Sequence, residues 1–211
     1  LMLTKAGFIK RTALSAFSKI RSNGLIAIHL EDGDALTWVR LSKEGDSVLI
    51  GSRTGMAIHF RLDLNELRPL GRTARGVKSM NLREGDKLVS MDVLTSDLVD
   101  QLAEIEDQNK ENDENLEINS SNGPWVLIAS AFGLGKRVPV TQFRLQKRAG
   151  MGLRSIKFRI KDDELVCLKV LGEGEELLFV TEKGVIVRTN ADKISQQSRA
   201  ATGVKLQRLD E

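Results

Sequence analysis

Lysine and arginine recur beside glycine at matching places along the chain, a pairing that suits anion binding rather than bond-breaking chemistry. Four positions after one set of glycines stand Arg11, His59, Arg137 and Arg188, and Lys10 and Lys136 double the charge in two of these places. Just before a second set stand Lys19 and Arg21, then Arg72 and Arg75, then Lys147 and Arg148, then Arg199; two residues after it come Lys78, Arg154 and Lys205. A solvated face needs only scattered charge. Charge repeated in register beside glycine, where a backbone can approach a phosphate closely, describes a stripe that a phosphodiester backbone could follow. Seven Phe, two Trp and no Tyr offer few platforms for stacking bases, so a duplex fits the stripe better than a single strand.

Catalytic patterns do not assemble. Gly133-Leu134-Gly135-Lys136-Arg137 lacks the upstream glycine of a phosphate loop, and Arg137 stands where a magnesium-binding hydroxyl belongs. Gly150-Met151-Gly152 lacks the third glycine of a dinucleotide fingerprint. His29 and His59 fall on different strands, which disfavours a metal pair, and the carboxylates crowd into turns, where they cap and solubilise. Cys167 is the single cysteine, so it forms no internal disulfide and no cysteine metal cluster; it aligns with Trp38 and Ser90 as a plain strand position. Without tyrosine, no Tyr nucleophile is available in this sequence. Catalytic residues, a resident metal and a cofactor are therefore not expected within it.

The elements that position these residues repeat four times. A Ser or Thr after an apolar run precedes a glycine by three positions at Thr4/Gly7, Ser52/Gly55, Ser130/Gly133 and Thr181/Gly184, and a second glycine follows at Gly24, Gly76, Gly152 and Gly203. The unit is about 50 residues long, with one insertion of about 30, and a period in that range marks a stacked or propeller-like array. Each unit carries four strands. One is of the type Ala35–Leu41, Lys87–Val93 or Glu164–Val170, each preceded by an acidic turn. One ends on the Ser/Thr, as in Val48–Ile50, Val126–Ile128 and Leu177–Val180, and one runs out after the glycine, as in Phe8–Thr12 and Val185–Thr189. The last follows the second glycine: Leu25–Leu30, Val77–Leu82, Leu153–Phe158 and Val204–Leu209. Four strands per unit is the content of a propeller-type blade, so the fold class is all-β; a β-solenoid with unusually long rungs is the structural rival.

Composition agrees with a folded array at an aqueous surface. The 41% hydrophobic content suffices for a core, 29% of residues are charged, and no apolar run approaches the length of a membrane span. Residues 1–95 carry 15 Lys/Arg against 10 Asp/Glu, residues 124–211 carry 16 against 10, and residues 96–123 carry 1 against 9. Two basic pairs of repeats, 1–95 and 124–211, thus flank an acidic connector, 96–123, read as a short helix from Asp97 to Asp107 followed by a mobile polar tract.

Gln146-Lys147-Arg148-Ala149-Gly150-Met151-Gly152 resembles the Gln-Arg-Arg-Gly-Gly-Lys-Gly box of the C-terminal domain of the DNA gyrase A subunit, with Gln146, Arg148, Gly150 and Gly152 matching and Met151 in place of the box lysine. Gly133–Val140, Gly7–Thr12 and Arg75–Lys78 resemble strand-and-turn motifs of that domain, and Leu67–Arg72 and Ala201–Val204 are similar to cyanobacterial and plastid forms. The resemblance implies a six-bladed β-pinwheel whose basic rim wraps duplex DNA, of which this sequence holds four repeats, beginning at the third. The full box belongs to the first blade, and Arg21-Ser22-Asn23-Gly24 keeps little of it. The resemblance further implies that the nucleophilic Tyr, the DNA gate, and ATP and magnesium lie elsewhere in a holoenzyme. Its implied partners are double-stranded DNA, the N-terminal region of the gyrase A subunit and the gyrase B subunit, in a complex of two copies of each. The implied place is a bacterial cytoplasm and nucleoid, or a plastid or mitochondrion in a eukaryote. The C-terminal domain of the topoisomerase IV A subunit is the near alternative, and a propeller that binds other proteins is the distant one.

Overall fold

The structure, a computed structural model, describes residues 1–101, 104, 124–172 and 174–206. The repeated Ser/Thr and glycine close a hairpin at the head of each unit. Gly7, Gly55, Gly133 and Gly184 donate their N–H groups to the carbonyls of Thr4, Ser52, Ser130 and Thr181. The hydroxyls of Thr4, Ser130 and Thr181 accept the N–H of Phe8, Leu134 and Val185 at 3.0 to 3.3 Å. All four glycines sit in the left-handed region, which explains the residue type at a fixed spacing from the hydroxyl. The acidic turns act on the same hairpins: Asp34, Asp86 and Asp163 accept the N–H of Ala6, Thr54 and Phe132 through a carboxylate oxygen.

Fourteen strands are formed among the described residues, and they group as four antiparallel blades. The first holds β1 (Met2–Thr4), β2 (Phe8–Lys10) and β3 (Leu36–Val39); the second holds β4 (Ser47–Ser52) and β5 (Met56–Arg61), then, after β6 (Val77–Lys78), β7 (Leu88–Leu94). The third holds β8 (Trp125–Ser130) and β9 (Leu134–Pro139), then, after β10 (Leu153–Arg154), β11 (Leu165–Leu171); the fourth holds β12 (Glu176–Val180) and β13 (Ile186–Asn190), followed by β14 (Val204–Lys205). The strand after the second glycine leaves its own unit. β6 pairs with β2, β10 with β5 and β14 with β9, so each exchanged strand completes the preceding blade. Ser79, Ser155 and Leu206 seal the exchange by donating their N–H to the carbonyls of Gly7, Gly55 and Gly133 at 2.8 to 2.9 Å.

One expected strand does not form. Leu25–Leu30 is irregular, with Ile26 68% exposed, and among the described residues no strand pairs with it. The fourth sheet correspondingly has two strands among the described residues, and the exchanged strands are only two residues long as ladders.

The cores lie between blades, as strand alternation requires. Val48 and Ile50 of β4 face the first blade, packing with Leu3, Ile9 and Met91, whereas Leu49 between them faces the third blade, with Val126, Ile128 and Leu168. In the same way Trp125 and Leu127 of β8 pack toward Ala191 and Ile194 of the fourth unit. β4 and β8 are buried along their whole length for this reason. The expected helix begins: residues 96–101 and 104 are helical, Ser96 donates its N–H to Asp46 and Val99 is buried in the core shared by the second and third blades. The rest of the expected Asp97–Asp107 helix and the polar tract lie outside the described residues.

Candidate nucleic-acid interface

The tandem basic pair after the first glycine faces inward, not outward, which corrects the expectation of an exposed stripe at Lys10, Arg11 and Lys136. Lys10 and Lys136 are fully buried and Arg11 is 8% exposed. Lys10 Nζ donates to the carbonyls of Gly71 and Arg72. Lys136 Nζ donates to those of Ser198, Arg199 and Ala201 at 2.7 to 2.8 Å. Each ammonium thus enters a cage of carbonyls in the loop that precedes the second glycine of the next unit. A lysine can lie there because its stem packs like an alkyl chain while carbonyl oxygens meet the donors of its head, two at Lys10 and three at Lys136.

The neighbouring position latches a different loop of the same next unit. Arg11 donates to Leu62 O at 2.8 Å, to Leu67 O and to Glu44; His59 meets Phe143 O at 2.7 Å; Arg137 donates to Asp192 O at 3.1 Å and Asp192 Oδ1 at 3.0 Å while lying over the Trp125 ring. These three carbonyl-bearing loops all follow the outgoing strand of the next blade. Arg188 holds the same register in the fourth unit but pairs with Glu176 on the adjacent strand and stays exposed.

The second glycine carries another correction. A Cβ on Gly76 would lie 2.6 Å from Ile9 O, on Gly152 2.5 Å from Ala57 O, and on Gly203 2.8 Å from Gly135 O. The close approach that these positions permit is to the backbone of the preceding blade, not to a phosphate. Gly24 has nothing within 4 Å, matching the unpaired segment that follows it.

What reaches solvent is a set of loop and exchanged-strand charges. Lys19, Arg21, Lys78, Lys147, Arg154, Arg188 and Lys205 are exposed. Arg72, Arg75, Arg148 and Arg199 are partly buried and braced: Arg72 on Ile26 O, Arg75 on Glu31 and over the Phe8 ring, Arg199 on Arg154 O. The box loop of the third unit is stapled to the second unit. Arg148 donates to Glu66 O at 2.7 Å and Lys78 O at 2.6 Å, Gln146 N–H donates to His59 O, and Asn81 N–H donates to Gly150 O. Lys147 and Lys78 are brought to the same exposed edge by that staple, so of the box residues it is Lys147 that presents full charge.

Sequence reasoning missed Arg144, a neighbour made by the fold. Burial first, then Arg144, pushes the Arg199 guanidinium below its ordinary range; burial first, then Arg199, pushes Lys136 down to about 8; burial first, then Arg72, lowers Lys10. Positive groups gathered in this way at the first and third junctions favour an anion bound outside them. Arg144 belongs to no repeated register, and only its electrostatic effect on Arg199, more than fifty residues away, reveals it.

The model of the family described as "DNA gyrase C-terminal domain, beta-propeller" matches residues 1–43, 46–95, 124–167 and 175–211. The DNA gyrase A subunit of Synechocystis is 56% identical over 216 residues, spanning 100% of this chain and 25% of that protein. Its Staphylococcus epidermidis counterpart is 39% identical over 98% of this chain and 20% of its own length, so the chain spans about a quarter or less of the curated relatives it matches. A solved structure of the DNA gyrase A C-terminal domain superposes with a TM-score of 0.76 at 27% identity, over 100% of this chain and 61% of that one. The crystal structure of the C-terminal domain of DNA topoisomerase IV gives 0.79 at 23% identity, over 98% and 56%, a likeness of fold.

Proposed function

The chain belongs to the DNA gyrase C-terminal domain family, and we propose that it binds duplex DNA without sequence preference and bends it along the edge formed by its loops. The observation that carries this is the crowding of Lys147, Arg148 and Lys78 at one blade junction and of Arg144, Arg154 and Arg199 at the next, on loops and exchanged strands that recur with the blades. Phosphates spaced along a duplex can meet successive junctions in turn; counterion release supplies affinity, and bending costs on the order of several kcal/mol that the added contacts offset. Among the described residues no helix is offered to a groove by this edge, so base readout has no element to carry it.

In the longer protein this reading makes the chain the DNA-wrapping part of an ATP-dependent type II topoisomerase that introduces negative supercoils. The gate, its nucleophile, ATP and magnesium are assigned to other parts. The N-terminal region of the gyrase A subunit and the gyrase B subunit are its partners, and its place is wherever the DNA is: a bacterial nucleoid, a plastid or a mitochondrion. A propeller that binds protein has no use for crowded like charge.

The test compares two charge pairs on a labelled duplex between 50 and 200 mM salt. Replacing Lys147 and Arg154 by alanine should weaken binding and flatten the log–log salt dependence by about 0.9 for each phosphate no longer neutralised, whereas replacing Lys161 and Lys169 should matter much less. Equal losses would mean a diffuse polycation, and salt-independent binding would remove the phosphate reading altogether.

A further inference from the structure

We propose that Lys10 and Lys136 are positioning residues for DNA binding: each buried ammonium clamps the basic loop of the following unit, and so sets where that loop's arginines meet the duplex. This rests on the proposed function. The geometry is the same at two junctions and different at the one between them. At the first, Lys10 binds the carbonyls of Gly71 and Arg72, and Arg72 and Arg75 follow in that loop. At the third, Lys136 binds the carbonyls of Ser198, Arg199 and Ala201, and Arg199 is itself the basic residue. At the second, Ile58 takes the lysine's place, its Cδ1 3.6 Å from where a Gly150 Cβ would be, and the box loop is instead fixed from outside by Arg148 on Glu66 and Lys78. Two solutions to one task, an internal ammonium or an external guanidinium, are what a requirement for fixed loops would select.

The cage is also electrically connected to the surface. The Arg199 guanidinium disfavours the charge of the Lys136 ammonium, and Arg72 that of Lys10. An anion bound by the outer arginine would relieve that repulsion, so phosphate contact and clamp should reinforce one another.

The experiment has two arms, both on the 211-residue chain. In the first, unsubstituted protein is acylated with an amine-reactive ester at pH 8 and the labelled lysines are read by mass spectrometry. With a value of about 8, Lys136 has far more neutral, nucleophilic amine than an ordinary lysine, so only tight enclosure can make it slow. The clamp requires Lys10 and Lys136 to be the slowest lysines; labelling of Lys136 as fast as Lys78 or Lys147 overturns it. In the second, Lys136→Met and the control Lys161→Met are titrated with duplex DNA at several salt concentrations, alongside amide exchange. Lys136→Met, although it removes no exposed charge, should flatten the salt slope by about 0.9 to 1.8 and speed exchange at residues 199–206 while the first two blades keep their protection. An unchanged slope in a folded Lys136→Met protein overturns the proposal. If unsubstituted protein shows no salt-linked binding, the DNA reading falls, and the positioning role falls with it even where labelling proves the cage intact.

Discussion

At the scale of the residue, His59 is the instructive exception in its register. Where Arg11 and Arg137 bring a permanent charge, His59 brings a ring that is buried between Ser47 Oγ and Phe143 O, each at 2.7 Å. A carbonyl can only accept, so Nδ1 carries the proton and Nε2 is left to accept from the Ser47 hydroxyl in the neutral ring. Burial pushes the histidine down; the Phe143 carbonyl opposes this and Arg61 adds to it. The folded value therefore lies below the unfolded one of about 6.5, so the unfolded chain takes up a proton first as pH falls. Stability from this site is complete above about 6.5 and should decline below it, by at most about 1.4 kcal/mol per pH unit. Thermal melts from pH 7.5 to 5.5 should show this decline, and His59→Gln should flatten it; equal slopes in both proteins would assign the loss to other groups. The register of this position was legible in the sequence, but its depth was not. Lys10, Arg11 and Lys136 looked like surface charge because the carbonyls that satisfy them stand about 50 to 65 residues away in the next unit.

At the scale of the element, the hairpin glycine and its capping hydroxyl were readable because they close a turn of four or five residues, and the four-strand unit was readable because that turn recurs at a fixed period. The exchange of the last strand was not. Leu25–Leu30 and Leu153–Phe158 have the same apolar spacing, yet only the second forms a ladder strand, since pairing depends on a neighbour that no local pattern encodes. The two glycines before these segments separate the contributions. Gly24 and Gly152 have similar positive φ values of 78° and 76°, so alanine should cost either position about 1 to 3 kcal/mol of backbone strain. At Gly152 the new methyl would also meet Ala57 O and Met80, whereas at Gly24 it meets nothing within 4 Å. Gly152→Ala should therefore lower the melting temperature well beyond Gly24→Ala and expose the β5 edge to amide exchange. Matching effects would mean that the exchanged strand contributes little to holding the second and third units together.

At the scale of the whole molecule, the blades build one continuous structure with opposed charge in a single chain. The core that joins Leu49 and Leu94 to Val126, Ile128 and Leu165 ties together the repeats on either side of residues 96–123, so both ends of the acidic segment are anchored at the junction of the second and third blades. A net −8 in that segment against +5 and +6 on its flanks makes it an internal competitor for the surface assigned here to phosphate. Residues 96–99 cannot be removed without cost, because Val99 is buried in that core. The informative deletion is 105–122, replaced by a short Gly/Ser bridge, which takes out six acidic residues and one lysine. Competition by a tethered polyanion is electrostatic and screened within about 10 Å at 0.1 M salt, so the deleted protein should bind duplex DNA more tightly at 50 mM salt and converge with the parent as salt rises. Tighter binding that persists at 200 mM would point to a steric block instead, and equal affinity at 50 mM would leave the segment without influence on the interface.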